Sequence, residues 1–148
     1  MKKIFLFIFI ATITFSAQSQ CSDVLIDSAM TRIGEATYMN AFRILMKKGK
    51  KNKIPVANFK IQMNKGNIYR FIVAEALENK EVLIASLADD YNKYGESYDK
   101  FEQINYRGFD FKCTKTGYYY LSAYFKDGEE GCGVIIMSLL QVQNKYLN

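Results

Sequence analysis

The spacing of β-type segments between residues 56 and 141 constrains the fold most strongly. Short runs of Val, Ile, Phe, Tyr and Leu alternate there with turns rich in Gly, Asn, Asp and Lys. The predicted strands cover residues 56–63, 68–76, 81–87, 101–106, 109–113, 118–125 and 133–141. This even spacing, with no helical period between the strands, predicts an antiparallel two-sheet β-sandwich of the jelly-roll type.

The segment before the sandwich predicts a short helix. Ile26, Met30 and Ile33 share one helical face, Ser22 or Asp23 can serve as N-cap, and Gly34 can end the helix.

The next segment, residues 37–46, fits either helical spacing or a strand in which Phe42, Ile44 and Met46 alternate, and the strand is favoured. We therefore expect a helical segment over residues 21–37 and one sandwich domain over residues 38–148.

The turns suggest how the strands connect. Gly66 in the sequence Asn-Lys-Gly-Asn at residues 64–67 predicts a hairpin, with the strand over 68–76 returning beside its predecessor. The last three strands, 109–113, 118–125 and 133–141, are expected to form a meander.

The N-terminus has the layout of a secretory signal peptide over residues 1–20. Lys2 and Lys3 precede an apolar run, and Ala17 provides a small-residue exit. The apolar run is shorter than the ~20 residues that a bilayer-spanning helix needs. An alternative is lipidation of Cys21, although Gln20 stands where a lipobox has a small residue. The leader predicts export from a bacterium, to the periplasm, the cell surface or the medium.

Composition removes several kinds of chemistry. The 148 residues include no His, which excludes Ser-His-Asp and Cys-His nucleophiles and His-ligated zinc. Eleven Tyr and eleven Phe, with a net charge of +5, indicate a folded and moderately basic protein. We expect no cofactor and no metal.

Three cysteines in an exported chain allow one disulfide and one thiol. In a meander, Cys113 and Cys132 would lie at opposite ends of the middle strand, roughly 20 Å apart, which is too far for a disulfide. A bond from Cys21 to Cys132 is favoured over one from Cys21 to Cys113, and three reduced cysteines are the remaining alternative.

Five lysines between residues 47 and 53 form a strongly basic loop. They are Lys47, Lys48, Lys50, Lys51 and Lys53. The loop is either a solvated connection or a contact with an anionic surface such as phospholipid or acidic polysaccharide. Nucleic acid fits an exported protein least well.

Two groups of tyrosines can provide a binding surface. Tyr91, Tyr94 and Tyr98 lie in a polar loop, where they either form a platform for a sugar ring or a partner protein or pack onto the rim of the sandwich. Tyr118 and Tyr120 share one strand face with Tyr124, and this face is either a cross-strand ladder or an exposed binding surface. The opposite face of that strand is predicted to be core. It carries Tyr119, Leu121, Ala123 and Phe125.

Carboxylates near the first tyrosine group could in principle form a glycosidase pair or a calcium site. They are Asp89, Asp90, Glu96, Asp99 and Glu102. Their spacing matches neither an EF-hand loop nor a known acid/base motif.

Several runs resemble the pre-peptidase C-terminal type of secreted β-sandwich and, more broadly, GOLD-like modules. They are residues 64–73, 109–113, 116–123 and 133–136, and the similarity in pattern covers residues 56–140. The resemblance implies a non-catalytic module that accompanies exported proteins. This chain departs from the pattern because the module stands alone and the Asp-rich loop of calcium-binding members is thin.

The sequence therefore predicts an exported, non-catalytic β-sandwich accessory or binding module of the bacterial cell envelope. Its partner would be an envelope protein or a glycan. The alternatives are a carboxylate-dependent enzyme acting on polysaccharide, with Asp89, Asp90, Asp99 or Glu102 as candidates, and a surface-tethered structural protein.

Overall fold

The computed structural model describes residues 17–50 and 53–141. These residues form one α-helix and ten strands, with a 3-10 turn at Lys126–Gly128. The elements are α1 (Ala17–Met30), β1 (Thr37–Met46), β2 (Ala57–Met63), β3 (Ile68–Glu75), β4 (Leu83–Ala88), β5 (Lys93–Glu96), β6 (Tyr98–Asp99), β7 (Ile104–Asn105), β8 (Gly108–Lys112), β9 (Gly117–Phe125) and β10 (Gly131–Gln141).

Eight of the strands form two four-stranded antiparallel sheets. Sheet A has the order β1-β10-β3-β8, and sheet B has the order β2-β9-β4-β5. The short strands β6 and β7 pair separately. The prediction of a mainly β fold with antiparallel sheets is confirmed.

The main core lies between the two sheets and draws side chains from both. Phe71 of β3 and Ile135 of β10 face Leu83 of β4 and Phe125 of β9, and all four are fully buried. Along β9 every second residue is buried, so the predicted core face of this strand is confirmed. Truncating a buried aromatic such as Phe125 to Ala would cost about 3–5 kcal/mol.

Helix α1 covers the outer face of sheet A. Leu25 and Ala29 form a second buried cluster with Ala74, Val134 and Ile136 of the sheet. The helix begins earlier than predicted, so Ser22 and Asp23 lie inside it and provide no N-cap.

The buried face of α1 is also shifted by one residue, and Ile26 and Met30 are only half-buried. Their periodicity fits a helix, but contact with sheet A decides which apolar side chains turn inward. The helix ends at Met30, before the predicted stop at Gly34, which adopts a φ of +62° in the turn toward β1.

The predicted hairpin at residues 64–67 is wrong. Gly66 has the expected positive φ of 86°, but β2 belongs to sheet B and β3 to sheet A. The turn crosses from one sheet to the other. Turn chemistry specifies a reversal of the chain and does not specify which sheet the next strand joins.

The predicted meander is wrong for the same reason. β8 pairs with β3, β9 with β2 and β4, and β10 with β1 and β3, so consecutive strands alternate between sheets. The expected separation of Cys113 from Cys132 nevertheless holds, because Cys113 hydrogen-bonds to Asn67 before β3 and Cys132 hydrogen-bonds to Ala76 after it.

The region between β4 and β8 also differs from expectation. The predicted loop over residues 91–100 contains β5 and β6, and the predicted strand over 101–106 is reduced to β7. Separately, none of the helices in the described ranges is long and apolar enough to cross a membrane.

Candidate functional site

Strand register brings four of the five predicted tyrosines to one end of sheet B. Tyr120 on β9 lies opposite Lys60 on β2 and Ala88 on β4. The turn after Ala88 carries Tyr91 and leads to Tyr94 on β5. We call Tyr91, Tyr94, Tyr118 and Tyr120 the tyrosine edge.

The outer part of the tyrosine edge is open to solvent. Tyr91 is 88% exposed and Tyr118 is 59% exposed. The Nζ atom of Lys60 lies 4.2 Å from the centre of the Tyr118 ring, a cation–π distance. Amide and hydroxyl groups accompany these rings, because Gln62 lies opposite Tyr118 and Ser122 donates a 2.6 Å hydrogen bond to Asn58.

Tyr94 connects this surface to the core. Its ring centroid is 5.1 Å from that of Phe111 and 5.6 Å from that of Tyr119. Its hydroxyl donates a 2.6 Å hydrogen bond to Asp89, whose carboxylate also accepts from the N–H groups of Tyr91 and Asn92. The Tyr94 hydrogen bond, followed by that from Tyr91, lowers the pKa of Asp89. Tyr94 and Asp89 thereby fix the turn that presents Tyr91.

Tyr98 lies apart from the tyrosine edge. It is buried, and the Nζ atom of Lys126 lies 5.6 Å from the centre of its ring. Together with Tyr124 it lines a small cavity of about 240 Å³ on the outer side of sheet B. The structure therefore does not bring Tyr98 into one platform with Tyr91 and Tyr94.

Three of the five predicted carboxylates, Asp89, Glu96 and Asp99, hold local structure, and Asp90 and Glu102 are exposed. The carboxylate of Asp99 accepts hydrogen bonds from the backbone N–H groups of Phe101 and Glu102, at 2.8 and 3.0 Å. Glu96 accepts a 3.0 Å hydrogen bond from Tyr124 and pairs with Lys93 at 2.7 Å. No group of three metal-ligating side chains occurs within the part of the chain that the structure describes.

The lysine loop lies at the end of the sandwich opposite the tyrosine edge. Lys47, Lys48, Lys50 and Lys53 are all exposed, and the Nζ atom of Lys48 also pairs with Glu129 at 2.6 Å. The hydrogen bond to Glu129 is the main cause that raises the pKa of Lys48. Lys51 lies outside the described residues.

The cysteines fall in two regions. Cys113 is a buried free thiol whose Sγ atom donates to the Lys115 carbonyl oxygen at 3.1 Å. Cys132 lies on β10 and packs at the margin of the cluster beneath α1, the helix that contains Cys21. The side chain of Cys21 is outside the described residues, so the disulfide from Cys21 to Cys132 stays a prediction.

The structure also contains a groove that sequence reasoning missed. It lies between α1 and the connection from β3 to β4, and it brings Arg32 and Arg107 to one end. Single arginines far apart in the chain form no recognisable motif, so only the fold could reveal this pair.

Comparison of the chain with protein-family models, with curated proteins and with solved structures finds no match. The geometry of the tyrosine edge and of the groove is thus the basis for assigning a function.

Proposed function

We propose that this protein is an exported, non-catalytic binding module of the bacterial cell envelope that binds a glycan through its tyrosine edge. The observation that carries the proposal is the exposure of Tyr118 and Tyr91 at one end of sheet B. Tyrosine rings offer apolar area with a polar tip at a low cost in conformational entropy.

The surroundings of Tyr118 favour a sugar over a purely apolar partner. Gln62 supplies an amide opposite Tyr118, and Lys60 adds a positive charge beside the ring. Asn58 supplies a second amide further along the same strand, opposite Ser122. A sugar ring has both C–H faces that stack on aromatic rings and hydroxyls that pair with amides. A partner protein is the alternative ligand, and a protein that binds only such a partner would bind none of the glycans tested below.

The strand order supports the jelly-roll type of sandwich. Of the connections that join the eight sheet strands, only that between β4 and β5 stays within one sheet. Eight strands in two sheets with repeated crossings are the hallmark of this architecture, which also occurs in lectin domains.

The carboxylates support binding more than catalysis. Asp89 and Asp99 accept N–H groups of their own turns, and Glu96 is paired with Lys93. A polysaccharide-cleaving enzyme would instead need an acid and a base placed on either side of a bound sugar.

Binding to a panel of immobilised envelope glycans tests the proposal. We expect Tyr118→Ala to weaken binding roughly tenfold, which corresponds to about 1.4 kcal/mol. Tyr106→Ala is the matched control, because Tyr106 is also 59% exposed but lies outside the tyrosine edge. Equal effects of the two substitutions, or no binding to any glycan of the panel, would contradict glycan binding at this surface.

Export is tested by mass spectrometry of the N-terminus of protein isolated from the envelope. A chain that begins between Gln18 and Cys21 supports a cleaved signal peptide, and a diacylglyceryl group on Cys21 would instead establish a lipid-tethered protein.

A further inference from the structure

The groove between α1 and the connection from β3 to β4 has a volume of about 780 Å³. Its wall carries Val24 and Leu25 of the helix and Leu77 of the connection. Val24 is 67% exposed and Leu77 is fully exposed. One side of the groove therefore offers apolar surface to a ligand.

The polar end of the groove is built on the edge of sheet A. β8 begins with Gly108, opposite Ile72, and the next residue of β3 is Val73. The N–H of Val73 donates a 2.9 Å hydrogen bond to the carbonyl oxygen of Arg107. The carbonyl oxygen of Val73 accepts a 2.7 Å hydrogen bond from Nη2 of Arg32. Arg107, through its backbone, and Arg32, through its guanidinium, therefore both contact Val73, at the point where the pairing of β3 with β8 ends.

The positive charge of these arginines is not neutralised by an ion pair among the described residues. A guanidinium has five N–H donors, and the hydrogen bond to Val73 uses one of those on Arg32. Burial is the main cause that lowers the pKa of Arg32, and the nearby charge of Arg107 lowers it further.

Glu75 also lines the groove, and its carboxylate is already engaged. Its Oε2 atom accepts a hydrogen bond from the N–H of Leu83, and its Oε1 atom accepts a 3.4 Å hydrogen bond from Nδ2 of Asn105. Glu75 attracts Arg32 without forming an ion pair with it.

The charges around the groove select the kind of anion. Arg32 and Arg107 against Glu75 leave a net charge of +1 at the polar end (2 − 1). The remaining ionisable side chains of the lining carry a net charge of −1 (1 − 2); they are Lys80, Glu78 and Glu81. A ligand with a single anionic group is therefore attracted by the arginine end of the groove. A polyanion would also be repelled by the carboxylates of Glu78 and Glu81.

We propose that this groove binds a monocarboxylate that carries an apolar chain or ring. The carboxylate pairs with Arg32 and Arg107, whose planar guanidinium groups match its two oxygens. The apolar part lies along Val24, Leu25 and Leu77. The site lies beside sheet A and is separate from the tyrosine edge on sheet B.

Titration calorimetry with octanoate as the probe tests the site. We expect saturable binding of octanoate, weaker binding of uncharged octanol, and a loss of roughly tenfold or more in octanoate affinity for Arg107→Gln. Lys112→Gln is the matched control, because it removes one exposed positive charge from β8 outside the groove. Tyr118→Ala should leave octanoate binding unchanged, so this experiment can fail or succeed independently of the glycan proposal.

Three results would overturn the inference. They are the absence of saturable octanoate binding with a Kd of about 1 mM or tighter, equal affinity for octanol, and unchanged affinity in Arg107→Gln. Arg32→Gln is unsuitable as a test because it also removes the hydrogen bond to Val73. Amide chemical shifts of the unmodified protein therefore provide a second measurement of the binding site. Octanoate should shift the signals of Arg32, Leu77 and Arg107, and shifts confined to other regions would contradict the site.

Discussion

The guanidinium of Arg70 and the carboxylate of Asp110 form a two-pronged ion pair, with Nε–Oδ1 and Nη2–Oδ2 distances of 2.8 Å. The remaining terminal nitrogen of Arg70 donates to the carbonyl oxygen of Ile33 at 3.2 Å. One side chain of β3 therefore holds both the edge strand β8 and the turn that follows α1.

This arrangement predicts that Arg70→Lys lowers the free energy of unfolding by about 1–2 kcal/mol, because an ammonium group cannot form the paired hydrogen bonds. Urea denaturation measures the change. Arg43→Lys is the control, since Arg43 pairs with Asp23 through one 3.3 Å contact between two exposed side chains. That pair should contribute less than about 0.5 kcal/mol. Equal losses in the two variants would show that the fork geometry of Arg70 is unimportant.

A second prediction concerns Gly108, where β8 begins. Its φ is +151°, and an added Cβ would overlap the carbonyl oxygen of Phe71. We expect Gly108→Ala to destabilise the protein by about 2–3 kcal/mol in thermal or urea unfolding. Gly117→Ala should change stability by less than about 1 kcal/mol, because nothing lies within 4 Å of the added methyl group. A Gly108→Ala protein as stable as Gly117→Ala would contradict the close approach.

The third prediction is the disulfide between Cys21 and Cys132. Alkylation of the unfolded, non-reduced protein should label one thiol, that of Cys113, and reduction should expose all three. Loss of the bond should lower the free energy of unfolding by about 2–4 kcal/mol. Cys113→Ser should leave the bond intact, and labelling of three thiols without reductant would show that the bond does not form.

Alkaline titration gives a fourth prediction. Burial, and then the hydrogen bond to Glu96, raises the pKa of Tyr124 to about 12 from an ordinary value of 10.0. A raised pKa in the folded state stabilises the fold below pH 10, and this contribution is lost as the pH rises from 10 to 12.

The unfolding free energy of the unmodified protein should therefore fall relative to that of Tyr124→Phe across this interval. Absorbance at alkaline pH should also show one fewer late-ionising tyrosine in the variant. Parallel stability curves for the two proteins would contradict the shift.

The lysine loop provides a fifth prediction. Replacing Lys47, Lys50 and Lys53 by Glu should reduce binding to vesicles that contain anionic phospholipid by roughly tenfold or more, because each basic residue near such a surface contributes about 1 kcal/mol. The matched control replaces three other lysines by Glu. They are Lys65, Lys112 and Lys115, which are exposed at the opposite end of the sandwich. Equal losses of vesicle binding in the two triple variants would show that net charge alone drives binding. Unchanged binding in the loop variant would show that the lysine loop is a solvated connection and does not contact the membrane.

The sequence was most informative where one side of a strand meets the core. Alternation along β9 correctly separated Tyr119 and Leu121 from Tyr118 and Tyr120, because a half-buried strand needs a period of two. It also favoured a strand over residues 37–46, and β1 spans this range.

Short elements and long-range pairing were the features that sequence could not supply. β5 has four residues, one of them Gly95, and lacks enough apolar alternation to be recognised. The pairing of Arg32 with the carbonyl oxygen of Val73 depends on α1 lying across sheet A. Which tyrosines meet at one edge depended equally on strand register, which no local pattern encodes.

The central position of β10 in sheet A has a consequence for the order of folding. β10 is the last strand in the described chain, yet β1 and β3 both hydrogen-bond to it. A polypeptide that has emerged only as far as β9 lacks the strand that joins these two, so sheet A can close only after nearly the whole described chain is available. Under the export proposed above, late closure would mean that the chain has no complete sandwich to unfold before it crosses the membrane.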